Sequence, residues 1–198
     1  MNPQILEKTE NFVVEEDRRL TLYGVTWEQY ETIRDTLDDY AGLKMIYIEG
    51  TLEFFMPGAK HERIKSVIGR LVETYSLETN IRLYASGSTT YRKKAEEKGL
   101  EPDESYSIGE FKEFPDFAIE VIVTSGSIAL LEVYKGLEIP EVWIWRNGKL
   151  SLYYLRGENY ELIERSNFLP ELDIELLVRC ANIPDQYDAV VEFRNAIR

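Results

Sequence analysis

The stretch Pro115-Asp116-Phe117-Ala118-Ile119-Glu120-Val121-Ile122-Val123 constrains this chain more than any other part of it. A period of two places Phe117, Ile119, Val121 and Val123 on one face of a strand and Asp116, Ala118, Glu120 and Ile122 on the other. A carboxylate set among β-branched apolar neighbours is costly unless a cation or a hydrogen-bond network compensates it. The fold therefore has to bring Glu120 a partner. A second Pro-Asp pair, Pro102-Asp103, lies shortly upstream, and acids that converge on such a strand form a candidate metal site.

With 198 residues, 44% of them hydrophobic and 12% aromatic, the chain has the makings of one ordinary domain with a proper core, unbroken by repeats or low-complexity tracts. No apolar run approaches the roughly 20 residues that span a bilayer, and Met1-Asn2-Pro3-Gln4 lacks a basic-then-apolar leader pattern. A cytoplasmic protein is expected. The single cysteine, Cys180, excludes an internal disulfide framework and reads as a small buried hydrophobe on a C-terminal helix. The net charge of −13 argues against tight, non-specific attraction to nucleic acid. It leaves room for a local basic patch, because charges are screened beyond about 8 Å at physiological salt. Arg92, Lys93 and Lys94, with Lys98 following, are the only dense basic cluster.

Residues 1–19 are polar and acidic and read as a loose arm, with residues 20–198 forming a single domain. Thr26 and Gln29 make a capping box at the head of a short helix through Trp27, Tyr30, Ile33 and Leu37. Lys44 to Ile48 and Thr51 to Met56 read as a hairpin turning at Glu49-Gly50. Ile64, Val67, Ile68, Leu71, Val72 and Tyr75 recur at the spacing of an amphipathic helix that starts near His61. Short strands are expected at Ile81 to Tyr84 and Thr89 to Arg92. The Glu120 strand is followed by a helix from about Ile128 to Leu137 with Ser127 as cap. Val142 to Trp145 and Lys149 to Leu155 form a second hairpin around Asn147-Gly148, Tyr160 to Arg165 a further strand, and the tail from Glu171 is helical. The alternation describes a mixed α/β or α+β domain with a central sheet.

Hydrolysis of a phosphodiester calls for hard cations such as Mg²⁺ or Mn²⁺ on carboxylate oxygens and for an ammonium that steadies the developing negative charge. The candidate acids are Asp103, Asp116 and Glu120, with Glu49 and Glu53 upstream. The sole histidine, His61, heads the long helix. Each has an ordinary structural reading as well: Glu49 as a turn residue, Asp116 bonding backbone N–H groups at a strand entrance, His61 anchoring its helix, and Trp143 and Trp145 as core.

Taken in order, Gly50-Thr51-Leu52-Glu53-Phe54-Phe55-Met56-Pro57, His61-Glu62, Glu101-Pro102-Asp103, Pro115-Asp116 with Ile119-Glu120-Val121, Val133-Tyr134-Lys135-Gly136-Leu137 and Pro140-Glu141-Val142-Trp143 resemble the Uma-two family, assigned to the restriction endonucleases of the PD-(D/E)XK superfamily. The resemblance runs from about Leu20 to the C-terminal helix. It implies a restriction-endonuclease-like fold: a central mixed sheet flanked by helices, with extra β-hairpins. It also implies a Mg²⁺-dependent site, DNA as partner and a homodimer. By position, Asp103 would be the first-motif Asp, Glu120 the acid of the (D/E)XK strand, and Glu49 or Glu53 the additional acid. Two departures stand out. Ile122 occupies the place of the superfamily lysine, and Leu130 the place on the next helix to which this family moves it, with Ala129 where an Asp or Asn is expected. Lys135 lies about 140° around that helix from Leu130. A catalytically degenerate member that keeps the fold for binding or assembly is the rival reading.

Overall fold

A computed structural model describes residues 16–124, Gly126 and 129–198. In chain order its elements are β1 (Arg18–Tyr23), α1 (Trp27–Leu37), β2 (Lys44–Ile48), β3 (Thr51–Met56), α2 (Ala59–Glu78), β4 (Leu83–Ala85), β5 (Tyr91–Lys93), β6 (Lys98–Leu100), β7 (Glu104–Ile108), β8 (Phe117–Ile122), α3 (Leu130–Leu137), β9 (Glu141–Arg146), β10 (Lys149–Arg156), β11 (Asn159–Ile163), α4 (Ile174–Ala181) and α5 (Gln186–Ala196). The result is a mixed α+β fold with two sheets and five helices among the described residues, in keeping with the architecture expected from the sequence.

One sheet runs β1-β3-β2-β6-β5 and is antiparallel throughout. The other runs β11-β10-β9-β8-β7-β4 and is antiparallel except where β8 and β9 lie parallel. Parallel neighbours need a crossover connection, and α3 provides it. The alternation read on β8 is the one that packs. Phe117, Ile119 and Val121 join Trp143, Trp145 and Leu152 beneath Ile68, Leu71 and Val72 of α2 and Leu177 and Phe193 of α4 and α5. Ala118 and Val142, on the opposite face, meet Val133, Tyr134 and Leu137 of α3 and Ile46 of β2. This second cluster ties the two sheets together, each fully buried large side chain contributing about 1.5–3 kcal/mol. A third cluster, Trp27, Tyr30, Met45, Tyr47 and Leu52, seats α1 on the outer face of the first sheet.

The capping box at Thr26 and Gln29 is present, and the β2–β3 hairpin turns through Glu49 and Gly50, both at positive φ (43° and 87°) as a type I′ turn requires. Cys180, Trp143 and Trp145 are buried. No helix among the described residues is long and apolar enough to cross a membrane.

Some boundaries differ from the expectation. Strand β1 begins at Arg18, inside the span read as an arm, because Arg19 and Thr21 have polar partners across the sheet on β3. Helix α3 begins at Leu130 with Ala129 as an N-cap whose side chain offers no acceptor, while Ser127 and Ile128 lie outside the described residues. Strands β6 and β7 were unmarked in the sequence. Ser105 and Ser107 make β7 look polar, yet both are buried, Ser105 with hydrogen bonds to Tyr91 and the Gly87 carbonyl.

Candidate active site

The antiparallel register of β7 and β8 pairs Glu104 with Ile119, Ser105 with Ala118 and Tyr106 with Phe117. One pair further, Asp103 stands opposite Glu120 on the face shared with Ala118, where directly opposed Cβ atoms lie about 4.5–5.5 Å apart. Both acids are buried, with 1% and 8% of their surface exposed. The Asp103 carboxylate continues the ladder past its last residue pair: Oδ2 accepts from the Val121 N–H at 2.7 Å. Its Oδ1 receives the Lys44 ammonium at 2.5 Å, which also donates to the Pro102 carbonyl at 2.9 Å. Glu120 accepts from the Tyr134 hydroxyl of α3.

Lys44 arrives from the other sheet. On β2 it lies opposite Phe55, and Ile46 lies opposite Glu53, so Lys44, Ile46, Glu53 and Phe55 share one face. Arg19 of β1, also opposite Phe55, stacks its guanidinium 3.8 Å from that ring and pairs with Glu53. The face that carries these charges is turned toward α3 and β8, which is why one buried and one part-buried ion pair lie at the junction of the sheets.

His61, fully buried near the head of α2, sets Nε2 3.0 Å from Asp103 Oδ1 without the in-line geometry of a hydrogen bond. Its Nδ1 lies 3.8 Å from Asp17 Oδ1. Asp17 in turn accepts from the Gly58 N–H at 2.9 Å and from the Thr124 hydroxyl at 3.0 Å. Asp17, His61 and Asp103 thus form an acid–imidazole–acid chain along the junction.

The two acids are pushed apart electrostatically. Burial alone would raise the Asp103 carboxyl, but the Lys44 ammonium and His61 beside it outweigh that and hold it well below the usual carboxylate range. Glu120 moves the opposite way: burial and then the negative charge of Asp103 raise it, only partly offset by Lys44, Tyr134 and Arg19. Lys44 loses by burial and gains more from Asp103 and Glu120, so its ammonium is strengthened. Burial and the Glu120 carboxylate drive the Tyr134 hydroxyl well up. This is the signature of one ionised and one reluctant carboxyl sharing a site that lacks a full complement of positive charge.

A cleft of about 230 Å³ is lined by Arg19, Glu53, Ile122, Ala129, Leu130 and Arg146, among others; it reaches β8 at Ile122, two residues past Glu120, and the buried Asp103 and Glu120 are not on its wall. The positions where the resemblance led one to look for a lysine therefore form its apolar wall. Gly126 presses so closely on Glu53 and Arg19 that a Cβ there would collide with both.

The structure brings Asp103, Glu120 and His61 together and places Glu53 on the adjoining sheet face. Glu49 is elsewhere: its side chain is 69% exposed at the hairpin turn, 3.6 Å from Lys98. The left-handed turn conformation aims it outward. Asp116 accepts from the Ile108 N–H at 2.7 Å and from Lys112, the strand-entrance arrangement. Lys135 pairs with Glu132 one turn back. The basic cluster is spoken for by acids: Arg92 with Glu31, Lys93 with Glu138, Lys94 with Glu28 and Lys98 with Glu49.

Among the described residues no group of three or more His, Cys, Asp or Glu side chains is placed to hold a metal. The donors still suit a hard divalent ion, since Mg²⁺ is commonly held by one or two carboxylates, completing its shell with water and substrate phosphate. Asp103 and Glu120 are two such carboxylates on one strand-pair face, and the repulsion between them is what a cation would relieve.

Sequence reasoning missed Lys44, Asp17 and Arg19. A lysine alternating with Ile46 and Ile48 in Lys44-Met45-Ile46-Tyr47-Ile48 was the available signal for the first. Asp17 and Arg19 carried none, sitting in a charged run, Glu15-Glu16-Asp17-Arg18-Arg19, in which no one residue stands out. The model of the Uma2 family, described as "putative restriction endonuclease", matches residues 27–183, well over half of the chain. A search of curated proteins found no match.

Proposed function

The chain belongs to the Uma2 family, and on that premise we propose that it is a metal-dependent endonuclease that hydrolyses phosphodiester bonds of DNA at the Asp103–Glu120 pair. The observation that carries the reading is the pair itself: two acids from adjacent strands, opposed on one face, desolvated and split in ionisation. Acids whose ionisation is strongly perturbed by burial and by each other are candidates for a working site. Asp103 and Glu120 would hold Mg²⁺ or Mn²⁺, which supplies a polarised phosphate and a water of lowered pKa.

The chain's own residues do the rest. Tyr134 fixes the Glu120 rotamer through its hydroxyl, and the Val121 N–H fixes Asp103, with His61 packed against the same carboxylate. Arg19 and Arg146 on the cleft wall offer donors to a phosphate, the interaction that favours arginine at such sites. Hydrolysis adds water across one P–O bond, leaving a phosphate on one fragment and a hydroxyl on the other. Cutting both strands of a duplex calls for two copies of one site. A homodimer is part of the proposal, supported by the apolar Leu20, Leu22 and Tyr23 exposed on edge strand β1.

A second reading has its own support. Ile122, Ala129 and Leu130 make the cleft wall apolar where a cation is expected, and the four residues of the basic cluster are neutralised by acids. On that reading the chain binds or assembles without cutting. Incubation of the purified protein with plasmid and single-stranded DNA across Mg²⁺ and Mn²⁺ decides between them: nicking that disappears in Glu120→Ala supports the endonuclease. Its absence at every ion concentration removes the enzymatic reading.

A further inference from the structure

We propose that Lys44 is the cation of this site, taking from the other sheet the place that Ile122 and Leu130 leave apolar. The inference rests on the endonuclease reading for its catalytic half. Three observations carry it. The Lys44 ammonium is 2.5 Å from Asp103 Oδ1 and acts electrostatically on Glu120 as well, so it addresses both acids at once. Its side chain is 8% exposed, and burying an ammonium is costly without compensation; a surface lysine could not do the same work. The Pro102 carbonyl takes a second of its three protons, which fixes its direction.

An ammonium so placed has two consequences. It occupies one of the Asp103 oxygens and repels a divalent ion, so it weakens metal binding. When a phosphate enters, the same ammonium faces negative charge that grows as the P–O bond is broken, the circumstance in which a fixed cation accelerates reaction. Lys44 is thus a positioning residue for the acids in the resting protein and the source of charge stabilisation during turnover.

The test separates these roles from a purely structural one. Mn²⁺ affinity, read by the electron-spin signal of the free ion, and plasmid nicking are measured for the parent, for Lys44→Met and for Lys44→Met combined with Leu130→Lys. Removing the ammonium is expected to tighten Mn²⁺ binding about tenfold or more and to slow nicking on the order of 10²-fold. Restoring an ammonium on α3 is expected to recover at least about tenfold of that rate. A lysine that merely holds the sheets together would lower the unfolding midpoint without tightening Mn²⁺. If Lys44→Met does not fold, Lys44→Gln, which can still donate to the Pro102 carbonyl, takes its place with the same expectations. Unchanged Mn²⁺ affinity overturns the proposal, as does nicking within about twofold of the parent. If the parent cuts nothing, the endonuclease reading fails by itself, and the Mn²⁺ comparison alone then decides whether Lys44 is the resident cation.

Discussion

Replacing Asp103 with Asn changes almost no volume and removes one charge from a pair of which one side chain is 1% and the other 8% exposed. The Lys44 ammonium is left buried without the carboxylate it touches, with only Glu120 nearby to offset it. Breaking a buried pair from one side costs about 3–5 kcal/mol. The single carbonyl oxygen of Asn cannot serve both Lys44 and the Val121 N–H as the two carboxylate oxygens do, which keeps the expectation at the upper end. Against a total stability of about 5–15 kcal/mol, that is a large share. With a urea slope of roughly 2–3 kcal/mol/M for a chain of this size, the unfolding midpoint should fall by about 1–2 M.

The pH dependence has a definite sign. Asp103 is depressed in the fold, so its contribution is fully present above the ordinary carboxylate range and fades as pH falls through the folded value. The gap between parent and Asp103→Asn should be complete at pH 7 and narrow below about pH 4. Removing both charges with Lys44→Met and Asp103→Leu should cost less than Asp103→Asn alone, because no orphan ion remains. Urea melts of Asp103→Asn and of the four proteins of the cycle built from Lys44→Met and Asp103→Leu provide the measurement. A loss under about 1 kcal/mol in Asp103→Asn, or single effects that add within about 0.5 kcal/mol, would refute the claim that the two charges sustain each other.

Glu120 is raised in the fold, so its ionisation opposes folding; Glu120→Gln should match the parent in acid and become the more stable as pH rises past the ordinary Glu range, seen in urea midpoints across pH. Glu49→Asn places a residue tolerant of φ 43° in the hairpin turn and should stabilise by about 0.5 kcal/mol, with any DNA cleavage unchanged, since Glu49 lies away from the pair; thermal melts and the plasmid assay check both halves. Gly126→Ala drives a methyl group into Glu53 and Arg19 and should destabilise by about 1–3 kcal/mol, read by chemical denaturation.

The sequence made the β8 strand, its two faces, the long helix, the capping box and both main hairpins legible because each rests on local periodicity or turn chemistry. The Asp103–Glu120 pairing was legible as well, through motif order. Lys44 was not, since its sequence separation of 59 from Asp103 is bridged only when two sheets close on each other. Glu49 misled for the complementary reason: an acid next to a glycine in a motif looks the same whether it points into a site or out from a turn, and only its left-handed backbone decides. Strand β7 was hidden by two buried serines, of which Ser105 finds partners across the chain in Tyr91 and the Gly87 carbonyl.

By standing in for a backbone acceptor at the rim of the sheet, Asp103 makes the Val121 amide an internal gauge of its own occupancy. A cation that drew the carboxylate off this amide would leave the Val121 N–H without its acceptor, so deuterium uptake at a single peptide position would report that displacement without any chemistry taking place. A protein wired in this way exchanges a little order in its framework for readiness to bind.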